Sequence, residues 1–173
     1  RILDALATAG NEVGLHGSFA TYTDATQFAE QRRRLSALTG SAVNGVRQHY
    51  LRMRPGATQS AMRDAGFAYD ATFGFPDRNG FRLGSADIVP LNGLEEAPLV
   101  WMDRALSKYR GIEVPHQWVS DAVDLATAAR LVDGLWVGLW HCNLTPALGY
   151  PGAPEAYGRV LDSILRESPY IAT

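Results

Sequence analysis

Short apolar runs alternate along this chain with amphipathic helical stripes, and the connections between runs read as too long for hairpins. That alternation predicts parallel strands covered by helices, and fits either an open doubly wound sheet or a barrel. Ile2, Leu3 and Leu6 give a first helical stripe that Gly10-Asn11 stops. Glu12 to His16 reads as a strand, with Val13 and Leu15 on one face and His16 on the other. Asp24 is a helix N-cap with Gln27 at the capping-box position, and the helix runs through Phe28, Leu35 and Leu38 to Gly40. Within it, Arg32, Arg33 and Arg34 are expected on a solvated face.

The second strand is expected over Ala42 to Tyr50. Alternate side chains of a strand share a face, so Arg47 and His49 should point one way, Gln48 and Tyr50 the other. A cation beside an imidazole at a strand end suits an anion, a metal or a polar substrate, and suits a dry core badly. Pro55 opens a helix in which Met62 and Ala65 face inward and which Gly66 ends. Phe67 to Phe73 is a strand carrying Asp70, and Gly74 to Gly80 a loop by composition. Phe81 to Leu91 reads as irregular, with room for a short strand at Ile88-Val89. Pro98 to Met102 is a strand ending at Asp103. Ser120 caps a helix that ends at Gly134, and Leu135 to His141 is the most apolar strand. Pro154 starts a last helix, and Tyr170-Ile171-Ala172 looks like the start of a further strand.

Composition narrows the function classes. The 173 residues suffice for one domain with a sizeable core, and one domain is the reading adopted over the whole chain. A net charge of -2 gives no basic field for nucleic acid or anionic lipid. The single Cys142 excludes an internal disulfide and a multi-cysteine zinc site. No apolar run reaches the roughly 20 residues that span a bilayer.

His16, His49 and His141 all fall at or near the C-terminal ends of predicted parallel strands, with Arg47 and Asp70 at similar positions. In parallel α/β architectures that edge is where active sites form. His116, beside Pro115 in an unassigned stretch, is expected to be a surface or structural residue.

These residues resemble a family. Gly14-Leu15-His16-Gly17-Ser18, Gly45-Val46-Arg47-Gln48-His49-Tyr50, Tyr69-Asp70-Ala71-Thr72 and Leu139-Trp140-His141 are similar, in order and rough spacing, to the motifs of the polysaccharide deacetylases, carbohydrate esterase family 4, in a divergent branch. The resemblance covers nearly the whole chain. It implies an incomplete, distorted (β/α) barrel and metal-assisted hydrolysis of an acetyl group on a carbohydrate, with a divalent metal, zinc by expectation. The family's second motif carries two histidines. His16 matches the first, and Ala20 stands at the second, so His49 is expected to supply the absent imidazole. His49 itself replaces the proline of the third motif, whose arginine and aromatic positions match Arg47 and Tyr50. By the same resemblance Arg47 orients a base carboxylate, the Tyr50 backbone N–H holds the oxyanion, Asp70 corresponds to the fourth-motif aspartate, and His141 is the general acid.

The first motif, which carries the catalytic base and a metal-binding aspartate, has no counterpart here. It is expected on a strand preceding Arg1, so the chain reads as an N-terminally truncated fragment, inert and weak in metal binding by itself. Three other readings stay open: a hydrolase of a non-sugar amide on the same fold, a non-catalytic carbohydrate-binding homologue, and a scaffold. Trp136 and Trp140 alternate with His141 and fit core packing better than a sugar platform.

Overall fold

The computed structural model describes residues 2–113, 115–167 and 171, and of Ile2, Asp4 and Ala7 only the backbone. Two compact units emerge. The first takes Arg1–Phe73 and Ile88–Ala97, the second Gly74–Asp87 and Pro98–Ile171. The strand anticipated at 170–172 lies outside the described residues.

The first unit is a mixed α/β sheet. Its strands are β1 (Leu15–Gly17), β2 (Gly45–Gln48), β3 (Tyr69–Asp70), β4 (Val89–Leu91) and β5 (Leu94–Glu96), in the order β1-β2-β3-β5-β4. β1, β2, β3 and β5 pair in parallel, and β4 joins β5 antiparallel. Three helices belong to this unit: α1 (Ile2–Thr8), α2 (Ala25–Thr39) and α3 (Ala57–Asp64).

Local chemistry sets these elements. Asp24 caps α2 by accepting from the Gln27 backbone N–H at 3.0 Å and its side-chain amide at 2.9 Å, and Gly40 closes it at φ 69°. Phe28, Met62, Val43, Val46, Leu15 and Leu94 bury together between helices and sheet. Gly45 opens β2 because the Tyr69 ring lies where its Cβ would be. The Tyr69 hydroxyl meanwhile donates to Glu12 at 2.9 Å.

The second unit holds β6 (Leu99–Met102) and β7 (Val137–Leu139), paired in parallel, with α4 (Pro115–Leu131) and α5 (Ala153–Leu165). Its core is Trp101, Leu106, Trp118, Ala122, Leu144, Ala153 and Val160. Trp140 stacks on Trp101 with ring centroids 5.6 Å apart, and Trp136 stacks on the same ring. Both tryptophans therefore pack as core. The Gly74–Gly80 loop is stitched to β6, since Gly80 N–H donates to Val100 O and Met102 N–H to the Asn79 side chain, each at 2.8 Å.

The described strands form two sheets. Several expectations need correction. β2 stops at Gln48, and His49–Leu51 forms one tight helical turn. Arg47 and His49 therefore do not share a strand face. A hairpin does exist: β4 and β5 are joined by Asn92-Gly93, both at positive φ (51° and 76°), the pair that a tight type I′ turn requires. Pro90 is tolerated because β4 is an edge strand. Helix α4 starts at Pro115, upstream of Ser120, so His116 stands exposed in its first turn. Of the three consecutive arginines, Arg33 and Arg34 are exposed, but Arg32 donates to Val43 O at 2.7 Å and lies over the Phe67 ring. Leu38, at helical spacing with Phe28 and Leu35, is exposed, and α2 buries only Phe28 fully.

Candidate functional site

In the first unit β1 and β2 run side by side with His16 in register with Arg47. A continued strand would carry His49 roughly 7 Å beyond that level, at about 3.3 Å per residue. The chain turns instead. Tyr50 (φ 59°) and Leu51 (φ 51°) adopt left-handed conformations that bulky side chains rarely take. The turn returns the His49 ring to β1, and His16 Nε2 lies 2.8 Å from His49 Nδ1. Consecutive positive-φ residues other than glycine cost free energy, and such cost concentrates where a side chain must be aimed.

A polar framework fixes both ends of this pair. Ser18, two residues after His16, donates its N–H to Gln31 Oε1 at 3.1 Å, and its hydroxyl lies 2.5 Å from that of the buried Thr21. Gln48, just before His49, is fully buried. Its amide donates to Ser18 O at 2.7 Å and its N–H to Thr72 Oγ1 at 2.9 Å. Gly17 has no side chain because a Cβ there would collide with Gln48 Oε1 and Phe28.

Around the imidazoles lies an exposed aromatic fringe. Tyr50 packs edge-on against His49 (4.5 Å) and Phe19 (5.9 Å). Arg52 sits over the rings of Phe19 and Tyr22, and donates to Phe19 O at 3.1 Å.

Arg47 turns inward and donates Nε–H to Ala71 O at 2.8 Å. Burial lowers its pKa, opposed first by the charge of Asp70. Asp70 is fully buried, accepts a hydrogen bond from the Thr72 hydroxyl, and stands in register with Glu96 on β5. Burial raises Asp70 to about 6. Glu96, also buried, rises to about 9, by burial first and the Asp70 charge second. Sequence reasoning missed Glu96 because it missed the hairpin that positions it. The Asn92-Gly93 pair between Val89–Leu91 and Leu94–Glu96 was the available signal.

The second unit carries a separate constellation. His141 follows β7, and Asp103 follows β6. Asp103 is fully buried. Its carboxylate accepts from the His141 backbone N–H at 2.6 Å, lies 2.5 Å from His141 Nδ1, and accepts from the Arg104 N–H at 2.6 Å. Asp103 is thus the carboxylate in contact with His141. The Arg104 side chain is drawn off to the Tyr150 hydroxyl at 2.6 Å.

The expected residues therefore fall into two sets. His16, Arg47, His49, Tyr50 and Asp70 belong to the first unit, and His141 with Asp103 to the second. For a metal, His16 and His49 offer two nitrogen donors suited to a divalent transition ion. Among the described residues no group of three or more His, Cys, Asp or Glu side chains could hold an ion. The donor chemistry fits a metal, and the donor count supplies part of a coordination shell.

No protein-family model matches the chain, and no curated protein matches it. By fold, it is similar to the crystal structure of a "putative polysaccharide deacetylase from Mycobacterium smegmatis". The TM-score is 0.64 at 23% sequence identity, over 94% of this chain and 59% of that one. The likeness is one of fold, and the chain spans less than two thirds of its neighbour's length. No helix among the described residues is long and apolar enough to cross a membrane.

Proposed function

We propose that the chain is part of a deacetylase-type hydrolase, built on an incomplete (β/α) barrel, that removes acetyl groups from a polysaccharide or sugar. The observation that carries this reading is the His16–His49 pair, 2.8 Å apart at the C-terminal edge of parallel strands. The turn at Tyr50-Leu51 adds to it, because it aims a ring where strand geometry alone would not. Similarity of fold to a structure described as a deacetylase supports the reaction class.

A divalent metal, zinc by expectation, would be held by His16 and His49 and would supply Lewis-acid polarisation of a carbonyl. The chain's own residues do the rest. Arg47, in register with His16 along the sheet and with its guanidinium beside Asp70, is given the role of orienting an anionic group. The Tyr50 backbone N–H is assigned to the oxyanion. In the second unit, the Asp103 carboxylate holds His141 Nδ1, which leaves Nε2 as the ring nitrogen for proton transfer, the general-acid role the resemblance gives this residue. The Asp103–His141 contact fixes which ring nitrogen that is, as a buried carboxylate does in hydrolytic triads.

The test is acetate release from acetylated oligosaccharides by the chain and by any longer protein that contains it, after chelation and after zinc is returned. Zinc-dependent release abolished by His16→Ala and His49→Ala supports the reading. Hydrolysis of simple amides without release from sugars would transfer the reaction to a non-sugar amide. Saturable sugar binding with no hydrolysis in either form would make the chain a carbohydrate-binding homologue.

A further inference from the structure

The reaction proposed above gives Glu96 no role and Asp70 only a place beside Arg47, and the geometry of the two buried acids points to a joint one. Asp70 and Glu96 are register partners on adjacent parallel strands, and both are essentially inaccessible to solvent, at 0% and 1%. Each has one oxygen engaged. Asp70 Oδ1 accepts from the Thr72 hydroxyl, and Glu96 Oε1 accepts from the Phe73 N–H at 2.9 Å. The other two oxygens, Asp70 Oδ2 and Glu96 Oε2, are buried with no further hydrogen-bond donor in reach. Two ionised carboxylates cannot stand side by side in such a place, because each already bears the desolvation penalty of a buried charge. A proton held between them removes one charge and gives both oxygens a partner.

The surroundings fix the remaining charge at one. Arg47 on β2 is the cation that acts on both acids. Helix α3 packs against β3 and β5, its buried residues are Thr58, Gln59, Ala61 and Met62, and its Arg63 is turned away to Asp64 and Asn92 O. β4 contributes Val89, Pro90 and Leu91, none of them charged. Tyr69, next to Asp70, is committed to Glu12.

We propose that Asp70 and Glu96 form a proton-sharing carboxyl pair that presents a single negative charge to Arg47, and that Glu96 is thereby a positioning residue for that guanidinium. Burial raises both acids, so the pair as a whole holds the proton, and its one remaining charge is the counter-ion of Arg47. The claim rests on the geometry of the first unit alone, and stands or falls separately from the hydrolase reading.

In the unfolded chain both acids titrate near their ordinary values. In the folded chain the pair keeps one extra proton up to about pH 9. Stability should therefore fall as pH rises from the ordinary carboxylate range to about 9, since the native state binds more protons there.

The experiment is chemical denaturation of the chain and its Glu96→Gln, Asp70→Asn and double variants across pH 5 to 9, with isotope-edited infrared spectroscopy of chain carrying labelled glutamate. Glutamine mimics the protonated acid, so Glu96→Gln should match the parent near pH 5 and exceed it increasingly toward pH 9. Each single variant keeps one acid able to ionise against Arg47. The double variant leaves the guanidinium uncompensated and should lose more than the sum of the singles. At pH 7.5 a protonated-carboxyl band should move on glutamate labelling. That spectrum is taken on the unsubstituted chain, so it decides the matter even where a variant fails to fold. Absence of such a band, parallel pH profiles for Glu96→Gln and parent, or additive losses in the double variant would each overturn the proposal.

Discussion

Asp103 holds His141 at two points, accepting from its backbone N–H at 2.6 Å and contacting ring Nδ1 at 2.5 Å. The two residues end neighbouring parallel strands, so one buried carboxylate ties the strand ends together and sets the ring's orientation.

Asp103→Ala should destabilise the chain by about 2–4 kcal/mol, because it strips acceptors from the N–H groups of His141 and Arg104. Urea titration followed by tryptophan fluorescence measures this, since Trp101 and Trp140 flank the two strand ends. His141→Ala leaves Asp103 its contact with the Arg104 N–H and should cost less. In an active form it should lower turnover by about two to four orders of magnitude while zinc affinity is kept. Loss of zinc on that substitution would make His141 a ligand.

His16→Ala and His49→Ala should each abolish most of the zinc affinity read by calorimetry, because a single imidazole is a weak divalent site. Leu51→Gly is a quieter probe of the same geometry. Glycine adopts positive φ without strain, so the folded turn is relieved while the unfolded chain gains freedom. Zinc affinity should survive that change. An unaltered zinc isotherm in both histidine variants would remove the metal from this pair.

Gly45→Ala should cost about 1–3 kcal/mol, the penalty of overpacking, since the added methyl meets the Tyr69 ring. Replacing Tyr69 by Leu in the same chain should recover part of that loss, because the obstructing ring is gone. A double-mutant cycle on thermal unfolding reads the coupling, and strictly additive losses would contradict the packing argument.

Asn92→Val should weaken the β4–β5 hairpin by about 1 kcal/mol or more, because a β-branched residue resists positive φ. Amide exchange localises the effect. Leu91 and Leu94, paired across the turn, should lose protection first, and Glu96, two residues further along β5, should follow.

Much of the fold was legible because it depends on short-range chemistry. The Asp24 cap, the Gly40 stop, the inward Met62 and the β/α alternation are decided within a few residues, and a spacing rule can read them. The Asn92-Gly93 hairpin is equally local, and its two positive-φ residues were available to the same kind of reading. Strand lengths were overestimated because an apolar run does not mark where ladder hydrogen bonds stop. β2 yields to a turn after Gln48 through backbone conformations that no propensity favours for Tyr50 and Leu51.

Which residue types stand at the strand ends was readable from residue order alone: His16, Arg47, His49, Asp70, Asp103 and His141. The same order carried the resemblance that suggests a reaction for them. Which of them touch was set by folding. His16 meets His49 across 33 positions of sequence, His141 meets Asp103 across 38, and Asp70 meets Glu96 through strand register. Such contacts depend on the order in which strands join the sheet, and on the desolvation that follows when two acids are buried together. Neither is a property of any local stretch of chain, so neither can be read from one.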